Sequence, residues 1–222
     1  MGTAMAEESW SNLFNDVNLD GWVQRGGTAS YAVEDGAIVG TAMLNTPNSF
    51  LCTAKAYGDF ILEYEYKVDA KMNSGVQIRS LALPQAVTYE WRGKSWAVPA
   101  HKVHGYQVEI DDGVLCDRWW NAGIYDEGRR QWLFPGLLGG DKKRFTEEGR
   151  VITQQDWNKV RVEATGRNIR TYLNGQLRAS IVDELTLKGF IGLQVHSIQK
   201  PELEGAKIRW RNLRLMETQG AH

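Results

Sequence analysis

Residues 60–69, FILEYEYKVD, place Phe60, Leu62, Tyr64, Tyr66 and Val68 at alternate positions, with Glu63, Glu65 and Lys67 between them. Period two belongs to a strand with one buried face, and a helix cannot use it. The pattern recurs. Val76 and Ile78 oppose Gln77 and Arg79, and Tyr106, Val108 and Ile110 oppose Gln107, Glu109 and Asp111. Residues 30–33, 37–41, 159–164, 169–173, 189–197 and 207–215 read the same way, and Glu34-Asp35-Gly36 and Asn174-Gly175 are tight-turn signals. No window of 12 or more residues carries a 3.6 period. Many short strands with frequent turns predict an all-β sandwich or barrel. The 222 residues suit one such domain, read as residues 10–217. Residues 1–9 lack an apolar stretch and are set apart as a trimmed leader remnant or an expression-derived start.

Charge narrows the partners. Lys and Arg total 26 and Asp and Glu 27, with no basic block. Nucleic acid is a poor partner, because phosphate binding needs concentrated positive charge. No run of about 18 apolar residues is present to span a membrane. Cys52 and Cys116 show no metal-type spacing; a disulfide and two separate thiols both remain open.

The polar faces of these strands carry the candidate chemistry: Glu63 and Glu65; Gln77 and Arg79; Gln107, Glu109 and Asp111; Gln194 and His196. If the strands are neighbours in one curved sheet, these groups meet in a groove. Carboxylates, amides, a guanidinium and an imidazole bind sugar hydroxyls and move protons. A solvated sheet face explains any single charge equally well. Three amides are harder to ascribe to solubility alone. Glu109 and Asp111, at i and i+2, stand about 7 Å apart along a strand. Retaining glycosidases place two carboxyls about 5–5.5 Å apart. The EID run resembles the E-x-D-x-x-E strand of sandwich-fold glucanases, but Gly113 and Val114 replace its final glutamate region.

Nine tryptophans stand out. Trp22, Trp157 and Trp210 lie beside strands and are expected in the core. Trp91, Trp96, Trp119, Trp120 and Trp132 lie in two long irregular stretches, residues 81–104 and 112–150, where flat rings can stack on a sugar or anchor the loop.

Leu13-Phe14-Asn15, Leu19-Asp20-Gly21-Trp22, Asn73-Ser74-Gly75-Val76-Gln77-Ile78-Arg79, Gly105-Tyr106-Gln107, Gly123-Ile124-Tyr125-Asp126 and Gly192-Leu193-Gln194-Val195-His196, in that order, resemble the 3-keto-disaccharide hydrolase family. The resemblance covers residues 10 to 215. It implies a concanavalin A-like jelly-roll sandwich of two antiparallel sheets, action on glycosides oxidised at C3, and export from a bacterial cell to the periplasm or beyond. The family often has Asp at the place of Val195 and Gly at that of Ser197.

A ketone at C3 acidifies the C2 proton, so elimination of the C1 substituent followed by water addition gives net hydrolysis. His196 or Glu109 is expected as base, with Arg79, Gln107 or a divalent cation at the enolate oxygen. Asp111 and Glu65 are candidates for metal binding or for orienting His196. Tyr125 is a candidate proton donor or sugar platform. Gln77, Gln107, Gln194, Glu65, Trp119 and Trp120 are the expected substrate contacts. No organic cofactor is expected. A non-catalytic carbohydrate-binding module would need the amides and rings but no tuned base. A structural domain would scatter these groups over a flat sheet.

Overall fold

The computed structural model describes residues 9–113 and 118–218. Cys116 falls outside them; Cys52 is a buried free thiol. In chain order the strands are β1 (Ser11–Asn12), β2 (Trp22–Gly26), β3 (Ser30–Glu34), β4 (Ala37–Thr41), β5 (Ser49–Thr53) and β6 (Phe60–Val68). Then come β7 (Asn73–Leu81), β8 (Val87–Trp91), β9 (Lys94–Val98), β10 (His104–Asp111), β11 (Ile124–Glu127) and β12 (Gln131–Phe134). Helix α1 (Lys142–Ile152) precedes β13 (Asn158–Thr165), β14 (Asn168–Leu173), β15 (Gln176–Val182), β16 (Phe190–Val195) and β17 (Lys207–Glu217).

The strands form the expected antiparallel sandwich. The front sheet has the order β12-β11-β10-β7-β16-β5-β2. The back sheet has the order β15-β14-β13-β6-β17-β4-β3, and β1 also pairs with β17. Between them lies the core: Phe60, Leu62, Tyr64 and Tyr66 from the back sheet meet Val76, Ile78, Tyr106, Val108 and Ile110 from the front. These are the residues that the alternation assigned inward. The two turns read from sequence carry paired positive φ, 50° and 72° at Asp35-Gly36 and 48° and 84° at Asn174-Gly175, the backbone a two-residue hairpin with matched twist requires.

Three features differ from the sequence reading. Residues 81–104 contain the β8–β9 hairpin, and residues 112–150 contain β11, β12 and most of α1. The helix has only eleven residues and buries only Phe145 and Gly149, too little for a 3.6 period to register; Asp141 caps it by accepting from Arg144 N at 2.8 Å. Trp157 is half-buried on the outer face of the back sheet, under the Arg211 guanidinium, while Trp22 and Trp210 are in the core.

One edge of the sandwich is closed by charge. Asp126 of β11 points inward and accepts from Arg129 Nε at 2.8 Å and from Arg130 Nε at 2.6 Å. Arg130 reaches on to Asp183, just after β15, at 2.7 Å, and Tyr106 donates its hydroxyl to the same carboxylate. The front and back sheets are thus joined by a buried ion network.

Candidate functional site

Strand parity decides which face of a strand a side chain takes, but not which sheet the strand joins. Two candidates fall away on that account. β6 lies in the back sheet, so Glu63 and Glu65 point outward on the far side of the molecule. Glu63 is held by Arg161 at 3.0 Å and Arg214 at 2.6 Å, and Glu65 by Arg211 at 2.7 Å. Neither can contact a ligand with Glu109 or orient His196.

Arg79 falls away for a different reason. Both neighbours of β7 skip one of its residues here: Tyr106 and His104 pair with Ile78 and Leu81, and Gly192 and Phe190 with Gln77 and Ser80. The extra residue makes a bulge, with Arg79 in the left-handed region at φ 46°. Parity inverts beyond it. Arg79 turns inward, fully buried, and donates to Gly58 O, Gly166 O and Asp59 at 2.7–2.8 Å, all on the back-sheet side. Ser80 takes the outward face instead, and its hydroxyl donates to Gln77 Oε1 at 2.8 Å.

The remaining groups converge. Register places Tyr125, Gln107, Gln77 and Gly192 in one row across β11, β10, β7 and β16. Glu109, Gly75 and Gln194 form the next row. His196 follows the end of β16 on the face of Gln194. Above them opens a cleft of about 380 Å³ lined by Gln107, Glu109, Tyr125, Gln194 and His196, together with Asn48, Asn73, Arg118, Glu127 and Trp132. Glu109 and Gln194 flank Gly75, two strand spacings or about 10 Å apart in backbone. Gly75 is needed there: a Cβ would lie 2.4 Å from Gln107 Cγ. The missing side chain lets Gln107 lie across the floor.

Hydrogen bonds give the floor a direction. Gln107 Nε2 donates to Glu109 Oε2 at 3.0 Å. Gln107 Oε1 accepts from Gln77 Nε2 at 2.6 Å and from Gln194 Nε2 at 2.9 Å. Glu109 Oε1 accepts from Asn73 at 2.5 Å and from Arg118 at 3.1 Å. Gln77 is wholly buried beneath the cleft and does not line it.

Burial pushes the Glu109 carboxyl up to about 7, against the opposing pull of Arg118, Asn73 and Gln107. Burial pushes His196 the other way, below 6.5, although its bond to Ser197 O favours the charged ring; the nearby Arg118 charge adds to the depression. The His196 Nδ1–H donates to the Ser197 carbonyl at 2.7 Å, which leaves Nε2 as the bare acceptor of the neutral ring. Tyr125 is held protonated, first by burial and then by the charges of Glu127 and Glu109. Glu127 is also raised, by burial. It stands opposite Gly105, four residues from Glu109 along β10, or about 13 Å.

Asp111 does not line the cleft. Its Oδ1 accepts from Gly113 N at 2.8 Å and its Oδ2 from Arg118 Nε at 3.0 Å. Among the described residues no group of three His, Cys, Asp or Glu side chains is placed to hold a metal. The site presents a guanidinium between Glu109 and Asp111 where the sequence suggested a divalent cation. Trp120 and Trp132 hold that guanidinium, 5.4 and 4.8 Å from their ring centres. Trp120 is buried, with Nε1 donating to Thr146, and Trp119 packs where a Gly113 side chain would be; neither lines the cleft. Trp132 does, edge-on to Tyr125 at 5.2 Å. Arg118 was not among the expected contacts, because it sits in no alternating run; Trp132 was one of the loop rings read as able to stack on a sugar, but Trp119 and Trp120 were the two expected at the substrate. Glu127 was legible: it shares strand parity with Tyr125, across Asp126.

The chain matches the family model described as 3-keto-alpha-glucoside-1,2-lyase-like domain over residues 9–216. No curated protein sequence matches it. In fold it is similar to a structure described as a putative glycosyl hydrolase from Parabacteroides distasonis, at 18% identity and TM-score 0.56, covering 95% of this chain and 94% of that one. A Bacillus subtilis protein with a galectin-like fold superposes with TM-score 0.61 at 10% identity, covering 94% of each chain. The Emp46p carbohydrate recognition domain does so with TM-score 0.55 at 11% identity, covering 94% of this chain and 96% of that one.

Proposed function

Because the chain belongs to the family of 3-keto-alpha-glucoside-1,2-lyase-like domains, we propose that it cleaves glycosides bearing a 3-keto sugar, by elimination across C1 and C2. The observation that carries this reading is geometric: His196, with Nε2 left bare, and the buried Glu109 line one cleft. Nε2 of the neutral imidazole takes the C2 proton. The electron pair moves into the C2–C3 enolate, and the Arg118 guanidinium steadies the negative oxygen. As the enolate collapses back to the ketone, the C1–C2 double bond forms and the C1–O bond breaks. Protonated Glu109 gives its proton to the departing oxygen. Water adding at C1 of the enone then completes a net hydrolysis. No second carboxylate is required, which suits a cleft whose other carboxylate, Glu127, stands far along the strand.

The test is turnover of a 3-keto-glucoside by His196→Ala and Glu109→Gln. Each loses about 10²–10⁴-fold in kcat if it moves a proton in the rate-limiting step. Unchanged turnover in both removes the assignment. Binding of the unoxidised glycoside without product from the keto form would instead mark a binding module, as the lectin-like shape allows.

A further inference from the structure

We propose that Gln77, buried beneath the cleft floor and out of contact with anything bound above it, is a positioning residue: with Gln194 it fixes which way round the Gln107 amide lies, and so keeps an N–H on Glu109. The amide oxygen of Gln107 has two acceptor positions, and both are filled, by Gln77 Nε2 at 2.6 Å and Gln194 Nε2 at 2.9 Å. Only the Gln107 nitrogen is left to face Glu109. Turned over, it would set one NH2 group against two others and an oxygen against a carboxylate. The order continues outward, since Ser80 donates to Gln77 Oε1 at 2.8 Å, and Ser80 faces this way only because of the bulge at Arg79. One cost is visible. Gln194 spends its amide nitrogen on Gln107, and its Oε1 is left buried with no partner.

Around Glu109 stand Arg118, Asn73 and Asp111, with Tyr125 on β11 and His196 across the cleft. The Gln77 side chain hydrogen-bonds only Gln107 and Ser80 among the described residues. A change at Gln77 therefore reaches Glu109 through Gln107 alone.

The proposal rests on the reading of Glu109 as proton donor only in its kinetic arm. The substrate-free arm follows the carbonyl-stretch infrared band of the protonated Glu109 carboxyl against pH, assigned by its loss in Glu109→Gln. An N–H on the carboxylate favours ionisation, so releasing it raises the midpoint. Gln107→Leu is expected to raise it by about one pH unit. Gln77→Met should raise it by less, because Gln194 still holds the amide. Gln77→Met with Gln194→Met should match Gln107→Leu and exceed the sum of the two single changes. The alkaline limb of kcat should move with the band. A double variant that keeps the wild-type midpoint while Gln107→Leu shifts it overturns the proposal, as does no shift in Gln107→Leu itself. If the double variant does not fold, an unmoved midpoint in Gln77→Met alone is decisive against it. Absence of turnover in the wild type would count against the proposed function and leave the infrared result standing.

Discussion

Glu109 and His196 depart from their usual titration for one shared reason, burial beside the same cleft, and in opposite directions because one ionises to an anion and the other to a cation. The proposed chemistry needs His196 neutral and Glu109 protonated. Activity should rise as His196 loses its proton, below pH 6.5, and fall as Glu109 loses its own near pH 7. A narrow, slightly acidic bell in kcat/KM on a 3-keto-glucoside is the expected profile, and a plateau extending to pH 9 would contradict it. At this scale alternation pointed to the groups that line the cleft, and equally to Glu65, Arg79 and Asp111, which do not. Gln107, Glu109, Gln194 and His196 were found that way. Arg118 was not, because its place is set by two indole faces and two carboxylates that meet only when the irregular stretch around residues 109–132 has folded.

Among the elements, β7 matters most to the reading of the site. Its bulge inverts parity after Ile78, so that Arg79 serves the junction between sheets and Ser80 serves the cleft. Arg79→Ala should therefore cost stability rather than chemistry. Loss of a buried guanidinium from an ion pair and two carbonyls is expected to destabilise by about 3–5 kcal/mol. Urea unfolding measures this, and kcat of the folded protein at low temperature should stay within a few-fold of wild type. A large loss of kcat at unchanged stability would return Arg79 to the site. The NSGVQIRSL run alternates cleanly through Arg79, and only its end, a serine on the apolar parity followed by a leucine on the polar one, betrays the change of phase. The assignment of β6 to the back sheet was equally hidden. Glu63 and Glu65 alternate just as Gln107 and Glu109 do, and only the pairing partners, Arg161, Arg214 and Arg211, distinguish an ion-paired outer face from a cleft.

For the whole molecule, two sheets pressed face to face supply the core, and the Asp126–Arg130–Asp183 network secures one edge. Replacing Arg130 with Leu would leave two inward-facing carboxylates without their shared cation. It should lower stability by about 3–5 kcal/mol in urea melts; a change below about 1 kcal/mol would show that the network contributes little. Two-layer architecture was legible from alternation, and this edge was not, because inward-pointing charges at Asp126 and Asp183 run against the pattern that reveals a strand. The pairing of β1 with β17, Ser11 opposite Leu215, has its own consequence. The first and last strands run side by side on the sheet that faces away from Glu109 and His196. A short peptide could bridge them, and new ends could open at the exposed Asp35-Gly36 hairpin, giving a circular permutant whose cleft is untouched by the rewiring.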